Sequence, residues 1–182
     1  MDSKILYLFI LLTCTATCTG CIRPSVGHLP QKPFASCASE QKITTKNLEF
    51  VYQAGIENGK LMVRGIAFPR DEYIPGWAKT FQDLSIYVYL TDSKGRILDK
   101  GLKTFLPQKL DRGKGHSFVL TLTPASGQSE EPLYIAFGYS MRLSPKPPYS
   151  GRIQDTPFSD DTSDTFSARE GAVYSAPSGP GD

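Results

Sequence analysis

A chain of 182 residues has room for one ordinary domain with extensions, and its 40% hydrophobic and 21% charged content suits a packed core. The formal charge of +2 is too small to argue for a nucleic-acid partner, and it is unevenly placed. Residues 41–150 carry fifteen Lys/Arg against ten Asp/Glu, whereas 151–182 carry two against six, a mildly basic body with an acidic tail.

The polar start Met1-Asp2-Ser3-Lys4, the apolar run 5–12 and the small residues 13–20 follow the order of a secretory signal. The run ends in Cys18-Thr19-Gly20-Cys21, which resembles the lipobox of bacterial lipoproteins, with Cys18 standing where that pattern usually has Leu. The resemblance implies removal of residues 1–20, a diacylglycerol thioether on Cys21 and attachment to a membrane. Each buried CH₂ contributes about 0.8 kcal/mol, so two or three acyl chains hold such a protein almost permanently. A simple secreted or periplasmic form stays open, as does an uncleaved span over 5–22, whose Thr-, Cys- and Gly-rich second half makes a poor helix. Ile22, rather than Asp, follows the anchor cysteine, so in a host with two membranes the outer one is expected.

Cleavage removes Cys14 and Cys18 and acylation consumes Cys21, which leaves Cys37 as a lone thiol; without lipidation a Cys21–Cys37 disulfide becomes open. His28 and His116 are the only histidines, so no metal site and no cofactor are expected.

Residues 21–43, with Pro24, Pro30 and Pro33, read as a flexible tether. Strands follow. Positions 48–53 alternate, Asn58-Gly59 is a two-residue hairpin signal, and 60–68 makes the returning strand. Leu84, Ile86, Val88 and Leu90 alternate with Ser85, Tyr87, Tyr89 and Thr91, which places the aliphatic set on a core. A turn at 92–95, where Gly95 accepts a left-handed conformation, leads into a strand at 96–106 with a bulge near Gly101. Phe118, Leu120 and Leu122 form one further inward set, and Leu133, Ile135, Phe137, Tyr139 and Met141 another. Pro69, Pro75, Pro107, Pro124 and Pro132 fall between these strands, where the missing backbone donor does no harm. The expected fold is all-β: a single antiparallel, immunoglobulin-like sandwich of six or seven strands over 44–144. The Pro-, Ser-, Asp- and Gly-rich stretch 145–182 reads as a disordered acidic tail, in which Asp160, Asp161 and Asp164 lack calcium-loop spacing.

Within 59–122 the chain resembles the immunoglobulin-like modules of bacterial envelope lipoproteins of the FxLYD type. The resemblance rests on Leu61-Met62-Val63-Arg64-Gly65-Ile66-Ala67, on the strand–turn–strand from Leu84 to Leu98, and on Leu110-Asp111-Arg112-Gly113-Lys114-Gly115 leading into Ser117-Phe118-Val119-Leu120. A loop at 69–80 stands where those modules have a short turn. The resemblance implies the fold and no enzymatic residues.

No catalytic constellation emerges. His116 and Ser117 are sequence neighbours, but adjacent strand residues point to opposite faces. No nucleophile elbow, phosphate loop, HExxH or paired CxxC is present. Two features suit binding. Loop 69–80 carries Tyr73 and the only tryptophan, Trp77, which either anchors a partner or folds back to cap the core. Lys100, Lys103, Lys109, Arg112 and Lys114 form a basic strand and turn, suited to anionic lipid or polysaccharide, or simply to guarding a sheet edge. The reading is a non-catalytic, membrane-anchored envelope lipoprotein that binds or assembles with an envelope protein. A passive accessory subunit of an envelope complex is the alternative, and a surface hydrolase using His116 a distant third.

Overall fold

The computed structural model describes residues 24–34, 39–123, 132–146 and 165–174. In chain order the strands are β1 (Pro24–Ser25), β2 (Gln31–Pro33), β3 (Gln41–Thr44), β4 (Leu48–Glu57), β5 (Lys60–Pro69) and β6 (Thr80–Thr91). They continue with β7 (Ile97–Phe105), β8 (Gln108–Lys109), β9 (His116–Leu122), β10 (Tyr134–Ser144), β11 (Phe166–Glu170) and β12 (Val173–Tyr174). One 3₁₀ turn, Asp71–Tyr73, interrupts them.

Two antiparallel sheets pack face to face. One has the order β3-β4-β5-β9; the other runs β11-β10-β6-β7, with β2 on the edge of β10 and β8 on the edge of β6. The period-two pattern accounts for the packing. Leu84, Ile86, Val88 and Leu90 are fully buried, as are Phe50, Leu61, Val63 and Leu122 of the facing sheet. Phe50 stacks on Phe137 with centroids 4.5 Å apart, and Phe118 meets Phe137 edge-on at 5.7 Å. Such aromatic pairs add about 0.5–1.5 kcal/mol each beyond the area they bury. The hairpin at Asn58-Gly59 has both central residues at positive φ, as its sequence predicts.

Several expectations need correction. The sandwich holds more than six or seven strands, because pieces of both flanks join it. Within the stretch read as a tether, β2 pairs with Tyr134–Ala136 of β10 and β1 pairs with β12; Val26 and Leu29 are buried. Within the stretch read as a disordered tail, β11 extends β10 from Tyr139 to Leu143. Pro24 and Pro33 are tolerated because both lie at the ends of very short edge strands. The bulge in the β6–β7 pair falls opposite Leu90 and Thr91 rather than at Gly101. At Gly101 a Cβ would stand 3.3 Å from Leu120 and Leu122, so the missing side chain lets β7 close on β9. The outward face of β6 is covered in part: Tyr89 is buried with Val26, Leu29 and Ala136 in a second apolar cluster.

The turn after β6 is held by Asp92. Its Oδ1 accepts from the backbone N–H of Lys94 and of Arg96, both at 2.9 Å, and its Oδ2 pairs with the Arg96 guanidinium. Burial disfavours the Asp92 charge, but these donors outweigh it and hold the carboxyl below its usual range. Gly95 takes positive φ there, as expected. The chain's first described residues dock on this turn through Val26 N–H to the Gly95 carbonyl and a Ser25–Arg96 bridge. The 69–80 loop lies at the other end of β6, about 36 Å away at roughly 3.3 Å per residue from Thr91 to Thr80.

Candidate functional site

The loop between β5 and β6 is built as a rigid presentation device. Ile74 and Ala78 point into the core and are buried, while Tyr73 and Trp77, each one residue earlier, are 43% and 42% exposed. Trp77 therefore does not cap the core; Ile74 and Ala78 do. Two polar side chains from elsewhere pin the backbone between them, and the loop's own Arg70 ties its start to the β3–β4 turn. Asn47 Nδ2 donates to the Tyr73 carbonyl at 3.0 Å. Arg112 donates to the Pro75 carbonyl at 2.7 Å, to the Ile74 carbonyl at 3.4 Å and to Asp71 Oδ1 at 3.1 Å. Arg70 lies over the Tyr73 ring at 4.7 Å, donates to the Thr45 carbonyl at 2.8 Å and pairs with Glu72. A loop fixed in this way offers two aromatic anchors with little of the ordering cost that flexible loops incur on binding.

Behind the loop, Asn47 Oδ1 accepts from the Tyr139 hydroxyl at 2.6 Å, and the same hydroxyl lies 3.1 Å from Glu170 Oε1. Burial first, and the Glu170 carboxylate second, push the Tyr139 pKa up, so the phenol stays a donor.

The five basic residues do not form one surface. Lys100 and Lys103 lie on β7, the edge of the larger sheet, with Lys100 opposite Tyr89 and Lys103 opposite Ile86. Lys109 sits on β8 opposite Thr80, at the loop end, and Arg112 is consumed in holding the loop. Lys114 is exposed in the connection leading to β9. Cys21 and Cys37, and the acidic residues Asp160, Asp161 and Asp164, lie outside the described residues.

No family model, curated protein or solved structure matches this chain.

His116 and Ser117 point apart, the first buried and the second exposed. The His116 ring sits edge-on to Phe81 at 4.9 Å and Phe105 at 5.6 Å, and its Nε2 is buried without a hydrogen-bond partner. Burial lowers its pKa, against a smaller opposing pull from Asp111.

A second concavity has no counterpart in the sequence reading. A cleft of about 410 Å³ lies on the outer face of the larger sheet, beside the β1–β12 ribbon. Its floor is Tyr87 and Tyr89, whose rings run nearly parallel (9°) with centroids 6.1 Å apart. Lys100, Arg169, Asp99 and Tyr174 line it as well. The parity of Tyr87 and Tyr89 was visible in the sequence, but the C-terminal residues that complete the wall stand far from them along the chain.

Proposed function

We propose that this chain is a lipid-anchored, non-catalytic module of the bacterial cell envelope that offers the Tyr73/Trp77 loop to a protein partner. The observation that carries the proposal is the pinning of that loop by Asn47 and Arg112 with both aromatics outward, at the end of β6 opposite the turn on which Ser25 and Val26 dock. Only Ile22 and Arg23 separate Cys21 from Pro24, a reach of at most about 10 Å over three Cα steps. Acyl chains on Cys21 would hold the Asp92–Arg96 end near the bilayer and leave the loop facing away from it. Support for the anchor comes from Cys18-Thr19-Gly20-Cys21 and the apolar run before it. The likeness to FxLYD-type envelope modules and the Ile22 preference for an outer membrane belong to the same reading.

A second reading, a permanently bound accessory subunit, draws on the outer face of the smaller sheet. Val119 is 60% exposed there and Ile66 39%, beside Val51 and Gly65. A photo-cross-linker placed at position 77 or at position 119 in living cells separates the two. One specific adduct from position 77 supports the loop, and adducts from position 119 alone favour the subunit. Intact-mass measurement of the mature protein tests the anchor: a chain beginning at acylated Cys21 is expected, and an unmodified residue 21 would overturn the localisation.

A further inference from the structure

The cleft beside the β1–β12 ribbon has the chemistry of a surface that meets phospholipid headgroups. Two of the exposed large apolar side chains belong to this face: Leu102 at 53% and Tyr174 at 67%. Leu102 is directly opposite Tyr87 on the neighbouring strand, so both project from the same side of the sheet. Two cations, Lys100 and Arg169, stand among these groups, and among the described residues neither pairs with a carboxylate. The one acidic residue in the lining, Asp99, is already engaged: it accepts from the Thr123 N–H at 2.6 Å and from its neighbour Lys100 N–H at 2.8 Å. Tyr89 is fixed in place, its hydroxyl accepting from the Ala172 N–H at 3.3 Å.

Aromatic and aliphatic side chains interleaved with cations suit the headgroup layer, where a phenol keeps its ring in apolar surroundings and its oxygen wet. A free phosphate would need the cations alone; exposed Leu102 and Tyr174 contribute only where hydrocarbon is also present. Pro24, the first described residue, lines the cleft and stands three positions after Cys21 in the sequence.

We propose that the end of this face beside the β1–β12 ribbon dips into the headgroup layer, with β6 rising away from it, and that the cleft between Tyr87, Tyr89, Lys100 and Arg169 receives the phosphate of an anionic phospholipid. The inference rests on the Cys21 anchor proposed above. It adds a direction: the cleft side of the Asp92–Arg96 end is held down, and the loop carrying Trp77, at the far end of β6, is turned away.

The test uses full-length lipidated protein reconstituted into vesicles of phosphatidylcholine, with or without phosphatidylglycerol, and a headgroup-attached quencher. In wild-type protein the only tryptophan, Trp77, is expected to stay unquenched. In a Trp77→Phe, Tyr174→Trp variant the new indole is expected to be quenched, more strongly when phosphatidylglycerol is present. Replacing Lys100 and Arg169 with Ala should reduce the face-down population by about fivefold per charge removed, since each cation near an anionic surface is worth about 1 kcal/mol. Flotation with vesicles should persist in that variant. Protein that floats while positions 77 and 174 are quenched alike, or whose quenching ignores phosphatidylglycerol, overturns the cleft proposal and leaves the anchor intact. Protein that does not float overturns the anchor, and this inference with it.

Discussion

Asn47 holds Tyr73 from behind. Its amide nitrogen donates to the Tyr73 carbonyl while its oxygen takes the proton of the buried Tyr139 hydroxyl, so one side chain couples the exposed loop to the centre of the larger sheet. Glu170, also within reach of that hydroxyl, accepts from the Lys46 N–H at 3.0 Å and brings β11 into the same network. Asn47→Ala is expected to cost about 1–3 kcal/mol, because it takes the donor from a loop carbonyl and the nearer of two acceptors from the buried Tyr139 hydroxyl. Urea denaturation measures the loss. Hydrogen exchange should localise it, with the amides of Tyr73 and Ile74 losing protection first. Unchanged exchange there would remove Asn47 from the support of the loop.

Neighbouring loop residues should behave in opposite ways. Ile74 is buried at the base, and Ile74→Ala should destabilise the fold by about 2–5 kcal/mol through a lost contact and a cavity. Trp77→Ala should stay within about 0.5 kcal/mol of wild type. If Trp77 is an anchor for a partner, the same substitution should weaken capture of that partner by tenfold or more, as central aromatic residues do. Thermal melts and binding measured on the same preparations distinguish stability from recognition.

Acid should find His116. Its folded pKa lies below the ordinary value of 6.5, mainly because the ring is buried between Phe81 and Phe105. Above that value both folded and unfolded chains carry it neutral, and stability does not depend on it. Below it the unfolded chain takes a proton that the folded chain refuses, so stability falls until the folded pKa is also passed. Urea midpoints should therefore drop between pH 7 and pH 5 in wild type, and the drop should shrink in His116→Phe, which keeps an aromatic ring in place. An equal drop in both proteins would assign the effect to other groups.

Much of the larger sheet was legible in the sequence. Leu84, Ile86, Val88 and Leu90 repeat every second residue, and a sheet with one buried face imposes that repeat. Asn58-Gly59 was equally readable, since few residue pairs accept two positive φ values. The short flanking strands were not. Pro24 and Pro33 sit at strand ends on sheet edges, where proline costs little, so composition alone marked them as linker. Phe166, Ala168 and Glu170 do alternate with Ser167 and Arg169, but five residues amid acidic and Ser-rich sequence carry a weak signal. At the loop, the aromatics were visible and their supports were not. Arg112 resembled the other cations of its stretch, and only the fold shows that its guanidinium is spent on the Ile74 and Pro75 carbonyls.

Gly138 lets the C-terminal segment lie close against β10. A Cβ there would come within 2.7 Å of the Glu170 carbonyl and 3.0 Å of the Tyr89 ring, where the chain leaves β11 and crosses the sheet. Gly138→Ala should cost about 1–3 kcal/mol by overpacking and loosen residues 165–174. Limited proteolysis should then cut that segment faster than in wild type. Gly55→Ala is the control, since nothing lies within 4 Å of a Cβ built at that position.

The pairing of Pro24 with Tyr174 also dictates an order of assembly. The first described strand has its partner among the last described residues, and β2 and β11 share the edge of β10. Contacts spanning nearly the whole chain are slow to form, because closing so large a loop costs entropy before any contact repays it. Until residues 166–174 are in place, the β10 border of the larger sheet lacks β11 and β1 lacks its partner, while the opposite border, β7, is already paired with β6.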